Sequence, residues 1–414
     1  MSEGGSMQQL DRLFITIGDW FHSLLAQWLP EPVVSAIGML LSALIIMTIA
    51  AVTMLYMTYL ERKVVARIQD RIGPNRVGPF GVLQPIADGI KMFTKEMIVP
   101  TQAHKVVYNL APVLAVTPAM MAFAVIPFGR DMVASDLDVG LLYLIAVSSV
   151  TEIAIVMGGW ASRNKYSLLG GMRAAAQMLS YEIPMVLVVL SLVLMVGSLR
   201  LSDFVDVQTV PLALLQPFAF VVFLISAAAE VARSPFDIPE AESELIAGYH
   251  TEYGGMRFAL FQMAEFVAAL GMACIMVTLF LGGWRSWIIP LPSWLWFVIK
   301  TFILINVWFW FRGTFPRLRI DQLQSLAWKF LVPASLLHAI MTAVLVTFFP
   351  LVKDGQLVVQ GAEWLTTTVV YFVANVVLLF VLMVLYRPYV RRTVRQLRVA
   401  TPAATARQQE VQAA

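Results

Sequence analysis

Carboxylic acids lie inside stretches of this sequence that are otherwise almost entirely apolar. An ionisable side chain is costly in lipid, so each of these acids is a candidate functional group. Buried carboxyl groups that lie near one another titrate as a coupled set and can pass protons along the set. These residues therefore indicate a proton relay, and the structural alternative is pairing with a neighbouring helix or a partner subunit. The four acids are Glu152, Glu182, Glu230 and Glu265.

The connection that follows Glu230 is also acidic. Residues 234–256 contain no Lys or Arg and five acids, which are Asp237, Glu240, Glu242, Glu244 and Glu252. At about 1.5 Å per helical residue, we predict Glu152 and Glu265 near mid-membrane, and Glu182 and Glu230 nearer the cytoplasmic helix ends. Together with Glu240, Glu242 and Glu244, these side chains form a predicted series from the cytoplasmic surface to the bilayer centre.

The composition is that of a membrane protein. Of the 414 residues, 59% are hydrophobic and only 13% are charged, about half the charged share of a soluble protein. A net charge of +3 gives no electrostatic case for binding nucleic acid. We predict an all-α polytopic fold, with an N-terminal amphipathic helix that lies in the membrane interface and ends at Pro30 and Pro32. The nine predicted spans are 33–60, 107–128, 139–160, 178–201, 212–233, 257–283, 292–315, 325–349 and 365–387.

Basic residues are concentrated in alternate connections. They follow spans one, three, seven and nine, whereas the connections on the other side contain few. The connection after span five is an exception, since this topology also places it inside although it is acidic. The positive-inside rule then predicts an N-terminus outside and a C-terminus in the cytoplasm of a bacterial inner membrane.

The first cytoplasmic connection has the most distinctive sequence. Closely spaced charges, Glu61-Arg62-Lys63, are followed by a turn-forming Gly73-Pro74-Asn75 segment. Apolar residues between Leu83 and Phe93 then predict a short amphipathic helix that ends near Lys95. Without the later segments, this pattern indicates only a basic loop on anionic lipid.

Together with two later segments, this loop closely resembles the H-subunit family of bacterial respiratory complex I, over about residues 33–350. That family is equivalent to the first membrane subunit of the mitochondrial enzyme. The segments that carry the resemblance are 61–63 with 71–78 and 84–91, the acidic loop 230–245 with 248–253, and Arg312 with 316–323.

The resemblance implies a membrane subunit of a proton-pumping NADH:quinone oxidoreductase. Quinone is the implied substrate, while FMN and iron–sulfur clusters belong to partner subunits, and no complete catalytic site, cofactor or metal is expected in this chain. The implied partners are peripheral quinone-site and cluster-bearing subunits, small membrane subunits, antiporter-like subunits and the lipid bilayer. The implied proton path is Glu152, Glu182, Glu230, Glu240, Glu242, Glu244 and Glu265. The implied quinone chamber includes Glu61, Arg62, Lys63, Asp70, Arg71, Gly73, Pro74, Asn75, Phe236 and Asp237, together with His250, for which a loop contact is an equal alternative.

The resemblance leaves both ends of the chain without a role. The predicted organisation is an interfacial helix over 1–32, a quinone-site and proton-path domain over 33–350, an extra helix over 351–387 and a basic, partly disordered tail over 388–414. Two interpretations of other classes stay open. One is the anchor subunit of a related hydrogenase or ferredoxin- or deazaflavin-linked complex, and the other is a stand-alone ion transporter.

Four other residues within the spans have two interpretations each. Lys300 is either a counter-charge or a snorkelling side chain. Pro118, Pro184 and Pro333 are predicted to interrupt their helices, and a simple packing kink is the alternative for each. At Pro184 the interruption would free the carbonyl of Ser180 to bind water.

Overall fold

The computed structural model describes residues 10–239, 246–286, 291–353, 356–357 and 366–387. The chain is almost entirely helical there, apart from a two-residue antiparallel pair, β1 (Val352–Lys353) with β2 (Gln356–Leu357). The helices are α1 Leu13–Ala26, α2 Glu31–Ile68, α3 Gln84–Thr94, α4 Lys105–Met121, α5 Gly140–Ala161, α6 Lys165–Val196, α7 Leu201–Val207, α8 Leu212–Leu215, α9 Pro217–Glu230, α10 Gly255–Phe280, α11 Ser293–Thr314, α12 Ile320–Leu326, α13 Val332–Phe348 and α14 Thr366–Arg387.

Two helices organise the bundle. Helix α6 packs against α5, α9 and α13, while α10 packs against α2, α4 and α11. In α10 almost every residue from Phe266 to Phe280 is buried, because this helix is surrounded by others instead of facing lipid. The candidate acids Glu152, Glu182, Glu230 and Glu265 are carried by these two helices and their direct neighbours.

The prediction of an all-α polytopic membrane protein is confirmed. Eight helical segments in the described part of the chain are long and apolar enough to cross a membrane. They correspond to eight of the nine predicted spans, and the last is α14. The short helix α3 coincides with the predicted amphipathic segment after the first connection.

The fifth predicted span, 212–233, is wrong as a continuous helix. It consists of the single turn α8 and the 14-residue helix α9, separated at Gln216. Pro217 explains the break, because a proline ring disfavours helical geometry at the preceding residue. Gln216 accordingly has φ −126° and ψ 66°.

Two other helix boundaries differ from the prediction. Helix α2 continues to Ile68, so Glu61, Arg62 and Lys63 lie on its last turns instead of in a loop. Helix α6 begins at Lys165 instead of residue 178, with the Asn164 side chain accepting a hydrogen bond from the amide of Tyr166. In both cases polar residues continue a helix that the hydropathy pattern ends, since polarity does not itself prevent helix formation.

The prolines that were predicted to interrupt helices differ in their effect. Helix α4 runs through Pro118 and changes to a 3₁₀ turn only over Ala122–Ala124, at its end. Pro333 follows a π-helical turn over Ala327–Leu331, where the missing proline amide leaves the helical hydrogen-bond ladder irregular. Helix α6, by contrast, runs through Pro184 without a change of helix type.

The N-terminal helix α1 has no buried residue and lies against the core at one end. The Phe14 ring meets the ring of Trp294 edge to face at 5.5 Å, and the Asp11 carboxylate accepts a hydrogen bond from the amide of Ser293. Helix α1 is thus attached to the first turn of α11.

Candidate functional site

Three of the four predicted intramembrane acids form one cluster. Glu152 on α5, Glu182 on α6 and Glu230 at the end of α9 are close enough for their charges to interact. The Ser149 hydroxyl, one turn before Glu152, donates to the Oε1 atom of Glu182 at 2.6 Å. We call Glu152, Glu182 and Glu230 the carboxylate cluster.

Glu230 is the most enclosed member of this cluster. Its side chain is 9% exposed, and its Oε2 atom has no hydrogen-bond partner among the described residues. It lines a cavity of ≈ 80 Å³ bounded by α4, α5, α6, α9 and α10. The other polar lining groups are Ser148 and Thr151, and the remaining walls are apolar. A cavity of this volume accommodates several water molecules, provided that polar groups are present to bind them.

Glu182 lies farther from the end of its helix than predicted. It is 17 residues from the start of α6, about 25 Å along its axis, because that helix begins earlier than predicted. Glu230, which was predicted near a helix end, is the last residue of α9. The acids nevertheless meet, because tertiary packing brings the middle of one helix beside the end of another.

Glu265 lies in a different environment from the carboxylate cluster. Its Oε1 atom is 3.4 Å from the Nη2 atom of Arg233. The Nη1 atom of Arg233 lies 3.1 and 3.0 Å from the two carboxylate oxygens of Glu61, which also pairs with Arg312. The Arg233 guanidinium stacks over the Phe266 ring at 4.2 Å. We call Glu61, Arg233, Glu265 and Arg312 the ionic quartet.

The quartet joins four separate parts of the fold. Its members come from the end of α2, the segment after α9, the middle of α10 and the end of α11. Arg233 is 4% exposed and Glu61 5% exposed. Such buried charges are tolerated only when they are paired and hydrogen-bonded. Two carboxylates and two guanidinium groups give this quartet no net charge.

The first connection forms a second group of predicted site residues. Arg62 pairs with Asp88 of α3 at 2.6 Å, Lys63 lies 5.7 Å from the centre of the Tyr59 ring, and Arg71 donates to Gln69. Asp70, Arg71 and Asn75 are exposed, while Gly73 and Pro74 are partly buried.

Gly73 has φ +72°, a conformation that favours glycine, and a Cβ atom there would lie 2.9 Å from that of Ala66. The turn after α2 is therefore held close to the helix it leaves.

The segment that follows α9, which contains Phe236 and Asp237, packs into the protein. Phe236 is 6% exposed and its ring meets that of Tyr181, while Asp237 pairs with Arg317 at 2.7 Å. The side-chain amide of Gln177 donates to the carbonyls of Ala229 and Phe236, at 2.7 and 2.6 Å. Gln177 thereby fixes both sides of the turn between Glu230 and Asp237 to α6.

His250 is buried in an aromatic group. Its ring lies 4.9 Å from that of Tyr249 and 5.2 Å from that of Phe258. Gly170 allows this loop to approach α6, since a Cβ atom at Gly170 would lie 2.6 Å from the carbonyl carbon of Gly248. Nearby, Tyr253 stacks on Tyr108 at 4.1 Å, and burial raises the pKa of the Tyr253 hydroxyl. The structure therefore shows the loop contact, and a quinone role for His250 stays a prediction.

The described contacts of Lys300 include three backbone carbonyl groups. Its ammonium donates to the carbonyls of Leu281, Gly283 and Arg285, at 2.7, 2.9 and 2.7 Å. These carbonyls follow the end of α10, where the negative end of the helix dipole attracts a cation. Lys300 is the C-terminal cap of the central helix.

Three predicted proton-path residues, Glu240, Glu242 and Glu244, lie outside the described residues. Sequence reasoning in turn assigned no site role to Arg233, Arg312, Gln177 or Ser149. Arg233 carried a usable signal, since it is a basic residue three positions after a predicted intramembrane acid. The pairing of Ser149 with Glu182 had none, because it depends on how α5 and α6 are rotated.

Comparison with known proteins places this arrangement in a family. The model of the NADH dehydrogenase family matches residues 41–343. Similar proteins include the H subunit of NADH-quinone oxidoreductase from Dehalococcoides mccartyi strain CBDB1, 48% identical over 78% of this chain and 91% of that protein. The protein of the same name from Brevibacillus brevis is 47% identical over 75% of this chain and 93% of the relative, and that from Bacillus thuringiensis is 52% identical over 70% and 88%.

These matches favour the NADH-linked interpretation over the hydrogenase anchor and the stand-alone transporter. They cover the helices that carry the carboxylate cluster and the ionic quartet, whereas α14 lies beyond the region that the family model matches. The chain belongs to the NADH dehydrogenase family and is an integral membrane subunit of a bacterial NADH-quinone oxidoreductase.

Proposed function

We propose that this chain forms part of the quinone-reduction chamber and couples quinone reduction to proton translocation through its buried glutamates. The observation that carries the proposal is the ionic quartet. In it, Arg233 bridges Glu61, on the helix that leads into the proposed chamber segment, to Glu265, on the central helix. Arg233 is also close in sequence to Glu230 of the carboxylate cluster.

The proposed chamber is lined by the first connection, from Arg62 to Asn75, and by the segment from Phe236 to His250. Its exposed basic groups attract the negative charge that develops on quinone during reduction. Reduction to quinol takes up two electrons and two protons, and the electrons come from the cofactors of partner subunits. In the proposed topology, with the N-terminus outside, these segments lie on the cytoplasmic side, where peripheral subunits bind.

Charge is transmitted through Arg233 in this proposal. A change of charge in the chamber alters the attraction between Glu61 and Arg233, and with it the pairing of Arg233 with Glu265. In surroundings of low polarity such a change acts strongly on neighbouring charges. The proposed proton path continues from the surface acids Glu240, Glu242 and Glu244 to Glu230 and the cavity beside it.

The carboxylate cluster is suited to relay protons because its members are not neutralised by the quartet. Glu182 accepts one hydrogen bond from Ser149, and the cavity at Glu230 gives room for water that links these acids. Quinone, peripheral and antiporter-like subunits are the proposed partners of this arrangement.

The test uses the assembled complex with Glu182→Gln or Glu230→Gln, which keep the side-chain shape and remove the ionisable group. We expect NADH:quinone turnover and proton pumping to fall at least ten-fold, while NADH oxidation by artificial acceptors stays at the native rate. Glu31→Gln, at the exposed start of α2, is the matched control. Native pumping in both cluster variants would refute the proposed path.

A further inference from the structure

The C-terminal helix α14 makes specific polar contacts with the core, although it lies beyond the region that the family model matches. We propose that α14 is an intramolecular seal, which closes the break in the fifth predicted span and keeps water away from the buried polar groups behind it, so that protons do not leak through the bundle. The inference does not depend on the proposed function.

The break at Gln216 leaves the last carbonyl groups of α8 without donors from their own helix. The last carbonyls of a helix lack partners within it, and in lipid such groups must be satisfied by protein. Asn375 of α14 meets this demand, since its Nδ2 atom donates to the carbonyl of Leu215 at 3.3 Å and to that of Tyr371 at 3.0 Å. Asn375 is completely buried.

The two carbonyl contacts also orient the Asn375 amide. Because its Nδ2 hydrogens point to carbonyls, its Oδ1 atom is the acceptor for the Nε2 atom of His338, 3.1 Å away. The His338 imidazole therefore carries a proton on Nε2. Its ring is completely buried, 5.2 Å from that of Phe218 on the other side of the break. Asn375 thus fixes both the broken backbone and the orientation of a buried histidine.

A row of buried polar groups leads from this point into the core. The Ser191 hydroxyl of α6 donates to the Oε1 atom of Gln216 at 3.2 Å, and the Nε2 atom of Gln216 donates to the Thr342 hydroxyl of α13 at 3.5 Å. All three side chains are completely buried. Ser191 lies nine residues beyond Glu182 on the same helix, about 14 Å along its axis and, at 3.6 residues per turn, on the opposite side of the helix, so this row is separate from the carboxylate cluster.

Water that entered at the break would therefore find buried polar groups on α6 and α13 to which it could bind. With Asn375 in place, the carbonyl of Leu215 and the Nε2–H of His338 are both bonded to protein. Two further contacts hold α14 at its ends. The Tyr371 hydroxyl donates to the carbonyl of Phe349 at 3.1 Å, and the Tyr386 ring meets that of Phe330 at 4.8 Å.

The experiment measures passive proton permeability in liposomes that contain the assembled complex. A pH gradient is imposed by an acid–base jump without NADH, and its decay is followed with an entrapped dye. For Asn375→Leu we expect the decay to be several-fold faster than for the native complex, because the Leu215 carbonyl and His338 lose their partner. Asn375→Ser, whose shorter side chain cannot reach both groups, is assayed in the same way in case the leucine variant fails to assemble.

The matched control is Asn306→Leu. The Asn306 side chain is partly buried and donates, in an exposed hydrogen bond, to the carbonyl of Phe302 within its own helix, at 2.8 Å, so we expect the native decay rate. An unchanged decay in an assembled Asn375 variant, or an equal acceleration in Asn306→Leu, would overturn the proposal. The assay needs no turnover. A leaky Asn375 variant alongside full pumping in Glu182→Gln would therefore support the seal and refute the proposed path.

Discussion

The ionic quartet and the carboxylate cluster contain the same acidic residue type in the same bundle, but in opposite electrostatic settings. In the quartet, Glu61 and Glu265 share Arg233, which is itself buried. In the cluster, the hydrogen bond that the structure gives Glu182 comes from a neutral hydroxyl, and Glu230 lines a cavity. The difference teaches that burial alone does not assign an acid to proton transfer. The partner decides whether its charge is held in place or is free to change.

Among the variants considered, Arg233→Leu is expected to have the largest effect, because it disrupts the ionic quartet. This change leaves Glu61 and Glu265 buried without their shared cation, and removing one partner of a buried ion pair costs roughly 3–5 kcal/mol. We expect little assembled complex, measured on native gels of solubilised membranes. Arg200→Leu is the control, because Arg200 pairs with Asp136 at the surface with 40% of its side chain exposed. Equal amounts of complex in the two variants would contradict the importance assigned to the quartet.

Lys300→Met extends the comparison to a buried charge that is held by carbonyl groups. The change leaves the carbonyls after α10 without an ammonium donor, and charge-assisted hydrogen bonds contribute about 1.5–3 kcal/mol each to stability. Methionine also removes the cost of burying an ammonium group, which offsets part of the loss of three hydrogen bonds. We therefore expect a net loss of about 3 kcal/mol, seen as a lower midpoint temperature of the purified complex, with turnover per assembled complex retained. Lys105→Met, at the exposed start of α4, should leave the midpoint unchanged. Loss of turnover without a lower midpoint would instead indicate a direct role for Lys300 in coupling.

The smallest expected effect is that of Gln177→Met, which removes the hydrogen bonds that hold the turn between Glu230 and Asp237 against α6. Two hydrogen bonds to Ala229 and Phe236 are lost, at about 1 kcal/mol each. We expect a modest fall in midpoint temperature and a higher KM for quinone, because Asp237 belongs to the proposed chamber. Gln27→Met on the exposed N-terminal segment is the control. A normal KM in a destabilised Gln177 variant would separate this turn from the chamber.

Much of the fold could be predicted from hydropathy, because lipid requires long apolar helices with internal backbone hydrogen bonds. Eight spans and the amphipathic helix α3 were found in this way. The break at Gln216 was missed, since the apolar composition of 212–233 concealed the effect of Pro217. The start of α6 was missed because Lys165 to Gln177 is polar enough to resemble a loop. Hydropathy predicts whether a segment is surrounded by lipid or by water, but it does not predict where a helix begins or breaks.

The sequence predicted which acids belong to the candidate site, but not how those acids are grouped. The acids themselves were identified, because an intramembrane carboxylate is rare enough to stand out. Their grouping was not, since it depends on the rotation of each helix about its axis. The sequence analysis placed Glu265 with Glu152, Glu182 and Glu230, whereas the structure pairs it with Arg233. Lys300 had two interpretations from the sequence, and its three carbonyl contacts could not be read from it.

The sequence by itself determined that the chain is a polytopic helical membrane protein, which residues are costly to bury, and to which family its motifs belong. These properties follow from composition and from local order along the chain. Only the tertiary structure decided which acids are neutralised by arginine, that Glu230 lines a cavity, and that Asn375 reaches the carbonyl of Leu215 160 residues away. The physical reason is that electrostatic and hydrogen-bond energies depend on distances between side chains of different helices, and those distances are set by packing.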